Sequence, residues 1–165
     1  MCSANIPPGC NILHTLLLGI PTTLTDASAY RPADAPRVLV VDDDPHAHFF
    51  ARRALSRGAG VRHFVDAWNG SEAIEVLRRR NRAAARGRIT HVVLDLQMPV
   101  LDGFGFLEAF DGLPAGTTAG VRVVLVSSSP NPDDHARALA HPCVREVFEK
   151  ALRPSDSPRV LGGAA

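Results

Sequence analysis

From Arg37 onward, short aliphatic runs alternate with longer stretches of helical spacing. Val38 to Val41 is an aliphatic run of the kind buried on both faces of a parallel sheet. "HAHFFARRALSRGAG" reads as a helix, with Phe49, Phe50, Leu55 and the alanines as its apolar side and Gly58 and Gly60 as its stop. "VRHFV", Val61 to Val65, is a short second strand. "NGSEAIEVLRRRNRAAARG" is a second helix, opened by Asn69 or Ser71, with Ala73, Ile74 and Leu77 at helical spacing. "HVVLDL" is a third strand and "FGFLEAFDGL" a short third helix. "VRVVLVSSS" is a fourth strand, "PDDHARALA" a helix with Pro132 in its first turn, and "VREVFEK" a fifth strand. "RPSDSPRVLGGAA" carries Pro154, Pro158 and two glycines, so a last helix is short or absent.

Five aliphatic strands alternating with helices predict an α/β fold, a doubly wound parallel sheet with helices on both faces and right-handed crossovers. Ligands of such sheets sit outside the carboxyl ends of the strands. Strand one ends in Asp42, Asp43 and Asp44, strand three in Asp95, strand four in Ser127, Ser128 and Ser129, and strand five in Lys150. Strand two ends at Val65-Asp66 and adds nothing of note.

Three carboxylates brought together repel by roughly 1–4 kcal/mol per pair, so such a cluster calls for a cation. Oxygen-only ligands suit Mg²⁺ or Mn²⁺. A carboxylate such as Asp95 can attack phosphorus and form an acyl phosphate. Lys150, the Ser127 hydroxyl and backbone N–H groups would spread the phosphoryl charge. Taken alone, "DDD" reads as helix capping with solvated charge; Asp44, before Pro45, keeps that role.

Composition narrows the picture without deciding it. The 165 residues suit one ordinary domain with tails, and the net charge of +1 favours no charged partner. Seventeen of the 18 basic residues are Arg; the single Lys is Lys150, a compact point charge where the rest of the chain uses planar forks. Cys2, Cys10 and Cys143 have no metal-ligand spacing and form no disulfide framework, which fits a reducing compartment. "RRRNRAAARGR" holds six Arg in eleven residues but closes a helix, where positive charge is favoured, so it reads as a solvated helix end before it reads as a nucleic-acid patch. His46 and His48 face different directions and read as surface residues or packing edges, and Trp68 as a packing residue at the turn into the second helix.

The motifs "VLVVDDDP", "NGSEAIEVL", "VVLDLQMPVLDG", "VVLVSSS" and "FEK" stand in order on these elements, and together they resemble a response-regulator receiver domain of two-component signalling. The resemblance implies a flavodoxin-like sheet of strand order 2-1-3-4-5. It implies Asp42 and Asp43 as the metal-binding acidic pair, Asp95 as phosphoacceptor, and the backbone carbonyl of Gln97 as a further Mg²⁺ ligand. Ser127 would be the switch hydroxyl and Lys150 the ammonium on the phosphoryl group, with Pro99 and Asp102-Gly103 shaping the loop after Asp95. Ser129 and the side chain of Gln97 would influence how water reaches that group.

Three departures stand out. Ala151 follows Lys150 where such domains carry Pro, often in a cis peptide, so the residue that usually sets that loop's geometry is missing. Val147 occupies the position of the usual aromatic switch, with Phe148 pointing to the other face of the strand. The shortened last helix alters a surface often used for dimerisation or partner contact.

The expected organisation is a disordered extension over 1–36, a receiver over 37–153 and a short tail over 154–165. Within the extension, "CNILHTLLLGI" is too short to span a bilayer, and no Lys or Arg precedes Arg31, as a secretory signal would need. The resemblance implies a cytoplasmic, stand-alone receiver, a signalling phosphoacceptor and not an enzyme in the usual sense. It would be charged by a sensor histidine kinase or phosphotransfer protein and act on a downstream protein target, as a monomer or weak homodimer. About 15 residues follow Lys150, too few for a DNA-binding output domain. Two rivals are a haloacid-dehalogenase-like phosphohydrolase using Asp42, which lacks the "DxDGT" continuation and leaves Asp95 unexplained, and a pseudo-receiver that binds partners without cycling.

Overall fold

The computed structural model describes residues 35–82, 87–128 and 131–162. In chain order they form β1 (Arg37–Val41), α1 (Pro45–Ala59), β2 (His63–Ala67), α2 (Gly70–Asn81), β3 (His91–Leu94) and α3 (Gly103–Asp111). A single turn α4 (Ala115–Thr118), β4 (Arg122–Ser127), α5 (Pro132–Leu139) and β5 (Val144–Glu149) follow. A 3₁₀ turn at Pro154–Asp156 and a short α6 (Ser157–Val160) close the chain. The strands pair in parallel in the order β2-β1-β3-β4-β5, as expected.

Alternation along each central strand feeds two cores. Leu39, Val41, Val92, Leu94, Val123 and Leu125 pack with α2 and α3, while Val38, Val40, Val93, Val124 and Val126 pack under α1 and α6. Each such fully buried side chain contributes about 1.5–3 kcal/mol. Burying both faces leaves the strand ends as the natural place for charge.

Two local expectations are corrected. β2 starts two residues later than Val61, because Gly60 adopts φ +66° as the cap of α1 and Val61 N–H donates to Leu55 O. Val61 is then spent as the buried apolar residue that follows such a cap. The buried side of α1 is His48, Ala51, Ala54 and Leu55, which leaves Phe49 and Phe50 exposed, one and two residues off that stripe. The turn α4 was not read from the sequence.

The last helix is short, and it is docked on α1: Ser157 Oγ donates to Ala54 O at 3.1 Å. Gly58 allows that close approach, since a Cβ there would sit 2.8 Å from the carbonyl carbon of Pro154 and nearer still to Pro154 O and Ser157 Oγ. Among the described residues no helix is long and apolar enough to cross a membrane.

Candidate functional site

The site is assembled where β1, β3, β4 and β5 end. Asp42 follows β1 directly; its N–H donates to Ala67 O at 3.2 Å, and its Oδ1 accepts from Asp44 N–H at 2.9 Å. Asp43 next to it is exposed. Asp44 caps α1, accepting from His46 N–H at 2.8 Å, with Pro45 in the first turn. The helix-start role read for it is therefore the one it has.

Asp95 N–H donates to Val41 O at 2.9 Å, which extends the β1–β3 ladder by one step and delivers its buried carboxylate beside Asp42. Ser127 ends β4, buried, two positions past Leu125, the last β4 partner of β3. Ser127 O accepts from Lys150 N–H at 3.2 Å, so the end of β4 carries the backbone from which Lys150 reaches inward.

The functional atoms converge. Carboxylate oxygens of Asp42, Asp43 and Asp95 all lie within 4.8 Å of one another. Lys150 Nζ lies 2.8 Å from Asp42 Oδ2 and 3.4 Å from Asp95 Oδ2. Burial, reinforced by the Asp42 carboxylate, holds Asp95 above the ordinary carboxylate range although Lys150 opposes it. Burial alone would lower Lys150, but its two carboxylate partners outweigh that and hold its ammonium above the usual lysine value. A set of three oxygen donors, two buried and one open to solvent, fits a hard divalent cation better than a transition metal that prefers nitrogen or sulfur.

The loop after β3 is fixed at both ends. Gly103 N–H donates to Leu96 O at 3.0 Å, and Asp102 caps α3 by accepting from Gly105 N–H at 2.7 Å. A Cβ on Gly103 would meet Asp95 O at 2.6 Å, so this glycine lets α3 start against the Asp95 backbone. Gln97 lies in this loop with its side chain exposed. Ser129 lies outside the described residues, as do residues 1–34 with Cys2 and Cys10.

Ala151 stands in place of the usual proline, and the Lys150–Ala151 peptide bond is cis all the same. Phe148 does face away from Val147, packing under α1 and α6 while Val147 packs against the other core. Cys143 is half-buried, and burial with Asp111 alongside pushes its thiol up to about 11, which keeps it protonated and chemically quiet.

A family model, "Response regulator receiver domain", matches residues 38–157. The chain belongs to the response-regulator receiver family. This receiver is 34% identical over 114 residues to protein-glutamate methylesterase/protein-glutamine glutaminase 5 of Myxococcus xanthus, covering 69% of this chain and 30% of that one. It is 34% identical over 107 residues to the transcriptional regulatory protein PrrA of Mycobacterium tuberculosis, covering 64% of this chain and 40% of that one. It therefore spans less than half the length of these curated relatives. A two-component response regulator from Cytophaga hutchinsonii shares the fold at a TM-score of 0.69 and 24% identity, covering 77% of this chain and 94% of that one.

Sequence reasoning missed one part of the receiver's site. Of the two readings of His48, surface residue or packing edge, the second holds, and its bonds are what went unread: its Nε2 lies 2.8 Å from Asp42 O and its Nδ1 2.9 Å from Asp66 Oδ1. Asp66, passed over at the end of β2, is also paired with Arg52. The Trp68 ring, partly exposed, lies against His48 at 4.4 Å between centroids. Arg78, Arg79 and Arg80 are exposed at the end of α2, the solvated helix end expected. Arg88 is a clamp that donates to Asn81 O, Gly116 O and Ala119 O.

Proposed function

We propose that this receiver takes a phosphoryl group onto Asp95 from a phosphohistidine on a kinase or phosphotransfer protein. The observation that carries this is the convergence of three carboxylates within 4.8 Å, with Lys150 bridging Asp42 and Asp95. An Asp95 carboxylate oxygen attacks phosphorus, the P–N bond breaks, and the imidazole leaves with its electron pair and takes up a proton. Lys150 holds the charge on the phosphoryl oxygens, and the Ser127 hydroxyl donates to one of them. Attack of water on the same phosphorus later returns the carboxylate.

Asp42, Asp43, Asp95 and the carbonyl of Gln97 would hold Mg²⁺. The metal supplies charge neutralisation, which makes two buried carboxylates and a dianionic donor compatible. The output is a changed protein-binding surface or onward transfer of the phosphoryl group, and the chain acts as a signalling acceptor.

The hydrolase reading is weaker on geometry. It makes Asp42 the nucleophile and leaves the buried Asp95, 3.4 Å from Lys150 Nζ, without a role.

The test is incubation with acetyl phosphate or beryllofluoride, with and without Mg²⁺, on wild type, Asp95→Asn and Asp42→Asn. Base-labile phosphate on Asp95, dependent on Mg²⁺ and absent from Asp95→Asn, is the expected result. A label retained by Asp95→Asn and lost in Asp42→Asn would point to the hydrolase. No label and no Mg²⁺-dependent change in wild type would leave the pseudo-receiver.

A further inference from the structure

We infer that His48 is a positioning residue for the acidic pair, an inference that rests on the assignment of Asp42 and Asp43 as the metal seat. The reason lies in how β1 ends. Asp42 N–H is bonded to β2, but the chain then turns into α1 and leaves the Asp42 carbonyl with no neighbouring strand to donate to it. A buried carbonyl left without a donor destabilises the fold. His48, in the first turn of α1, reaches back and supplies that donor at 2.8 Å.

The ring is held from its other side as well. Asp66 holds the ring's Nδ1 side at 2.9 Å and is itself paired with Arg52. The Asp42 carbonyl can only accept, so Nε2 is the donor to it, and with Nδ1 2.9 Å from Asp66 Oδ1 the imidazole bridges the end of β2 and the peptide between Asp42 and Asp43. Arg52, one helical turn beyond His48, pairs with the same Asp66 carboxylate, and Trp68 covers the ring from outside.

The consequence concerns direction. The peptide that His48 grips joins the buried Asp42 to the exposed Asp43, and its orientation decides whether both carboxylates face Asp95. Metal sites depend on such outer partners, whose loss weakens metal binding by roughly 10–100-fold.

Two variants separate positioning from packing. Glutamine places its amide nitrogen near the Nε2 position and can still donate to Asp42 O, whereas asparagine reaches only the Nδ1 position and can serve only Asp66. Mn²⁺ binding to the full chain, read by electron paramagnetic resonance, and the thermal midpoint in chelator are measured for wild type, His48→Gln and His48→Asn. The expected result is Mn²⁺ affinity close to wild type for His48→Gln and weakened roughly tenfold for folded His48→Asn. Should His48→Asn fail to fold, Asp66→Asn, which loosens the far end of the bridge, is expected to weaken Mn²⁺ in the same direction. Unchanged affinity in the folded variants, or equal loss in the Gln and Asn forms, overturns the inference while leaving Asp95 as acceptor intact. Absence of Mn²⁺ binding by wild type overturns the inference and the metal seat together.

Discussion

Lys150 sits closer to Asp42, at 2.8 Å, than to Asp95, at 3.4 Å. The ammonium therefore serves first as the internal counter-ion of the acidic pair and is within reach of the group proposed to carry phosphate.

Lys150→Met removes the cation that lies between these two buried carboxylates. Loss of a charged partner of this kind costs about 1–3 kcal/mol. For a chain of this length each kcal/mol shifts the thermal midpoint by about 2–4 °C. We expect the variant to melt several degrees lower in chelator, and to regain more on adding Mg²⁺ than wild type does. Scanning fluorimetry over a Mg²⁺ series checks this; an equal Mg²⁺ gain in both proteins would count against the counter-ion role.

Gly58→Ala tests the docking of the last turn. In most helix interiors the substitution stabilises by roughly 0.5–1 kcal/mol. Here the new methyl would meet backbone, with Pro154 C at 2.8 Å, so the closing turn has to shift off α1. Overpacking of this sort costs about 1–3 kcal/mol, and a net loss is expected in chemical denaturation.

Much of the fold could be read because parallel strands buried on both faces declare themselves as aliphatic runs, and their ends collect the charge. Asp42, Asp95 and Ser127 could be named for that reason, each being the first polar residue after an aliphatic run, and Lys150 as the chain's single lysine at the end of β5. What could not be read depends on pairs distant in sequence. The bridge made by His48 could not be read because its partner Asp66 is 18 positions away. Asn81 was hidden in an arginine run, yet it is buried and bonds Ile89 and Thr117, the latter 36 positions away. Phe49 and Phe50 suggested an apolar helix face, whereas alanines, Leu55 and His48 fill it; composition does not reveal which of two adjacent stripes meets the sheet.

Val100 adopts φ +71° in the loop after Asp95 and is 86% exposed. A β-branched residue is strained there by about 1–2 kcal/mol and has no packing to offset it. Val100→Asn or Val100→Gly is expected to raise the thermal midpoint by a few degrees without altering which residue is phosphorylated. A lower midpoint would show that the Val100 side chain has a packing role.

His91 gives the fold a pH dependence of known sign. Burial, with Arg122 alongside, holds its imidazole below the ordinary value of 6.5, although the Leu161 carbonyl pulls the other way. The neutral ring is favoured in the folded state. Its contribution is complete above pH 6.5 and is lost as pH falls through 6.5 toward the lower folded value. The urea midpoint of wild type should fall from pH 7.5 to about 5.5 more than that of His91→Gln. Parallel curves for the two proteins would remove His91 as a source.

Asp95 is where stability and proposed chemistry pull apart. Its carboxyl is held above the ordinary range, by burial first and by Asp42 in addition, so at neutral pH the ionised form is less favoured folded than unfolded. For an acid shifted upward, stability falls as pH rises past the unfolded value, and a neutral isostere escapes that loss. Asp95→Asn is therefore expected to melt higher than wild type in chelator, while losing all base-labile phosphorylation. Mg²⁺ should reverse the order or narrow it, because the metal relieves wild type of the repulsion that the variant lacks. A variant that is inert but no more stable would mean that Lys150 alone already neutralises the cluster. One that is more stable and still labelled would move the phosphoacceptor away from Asp95.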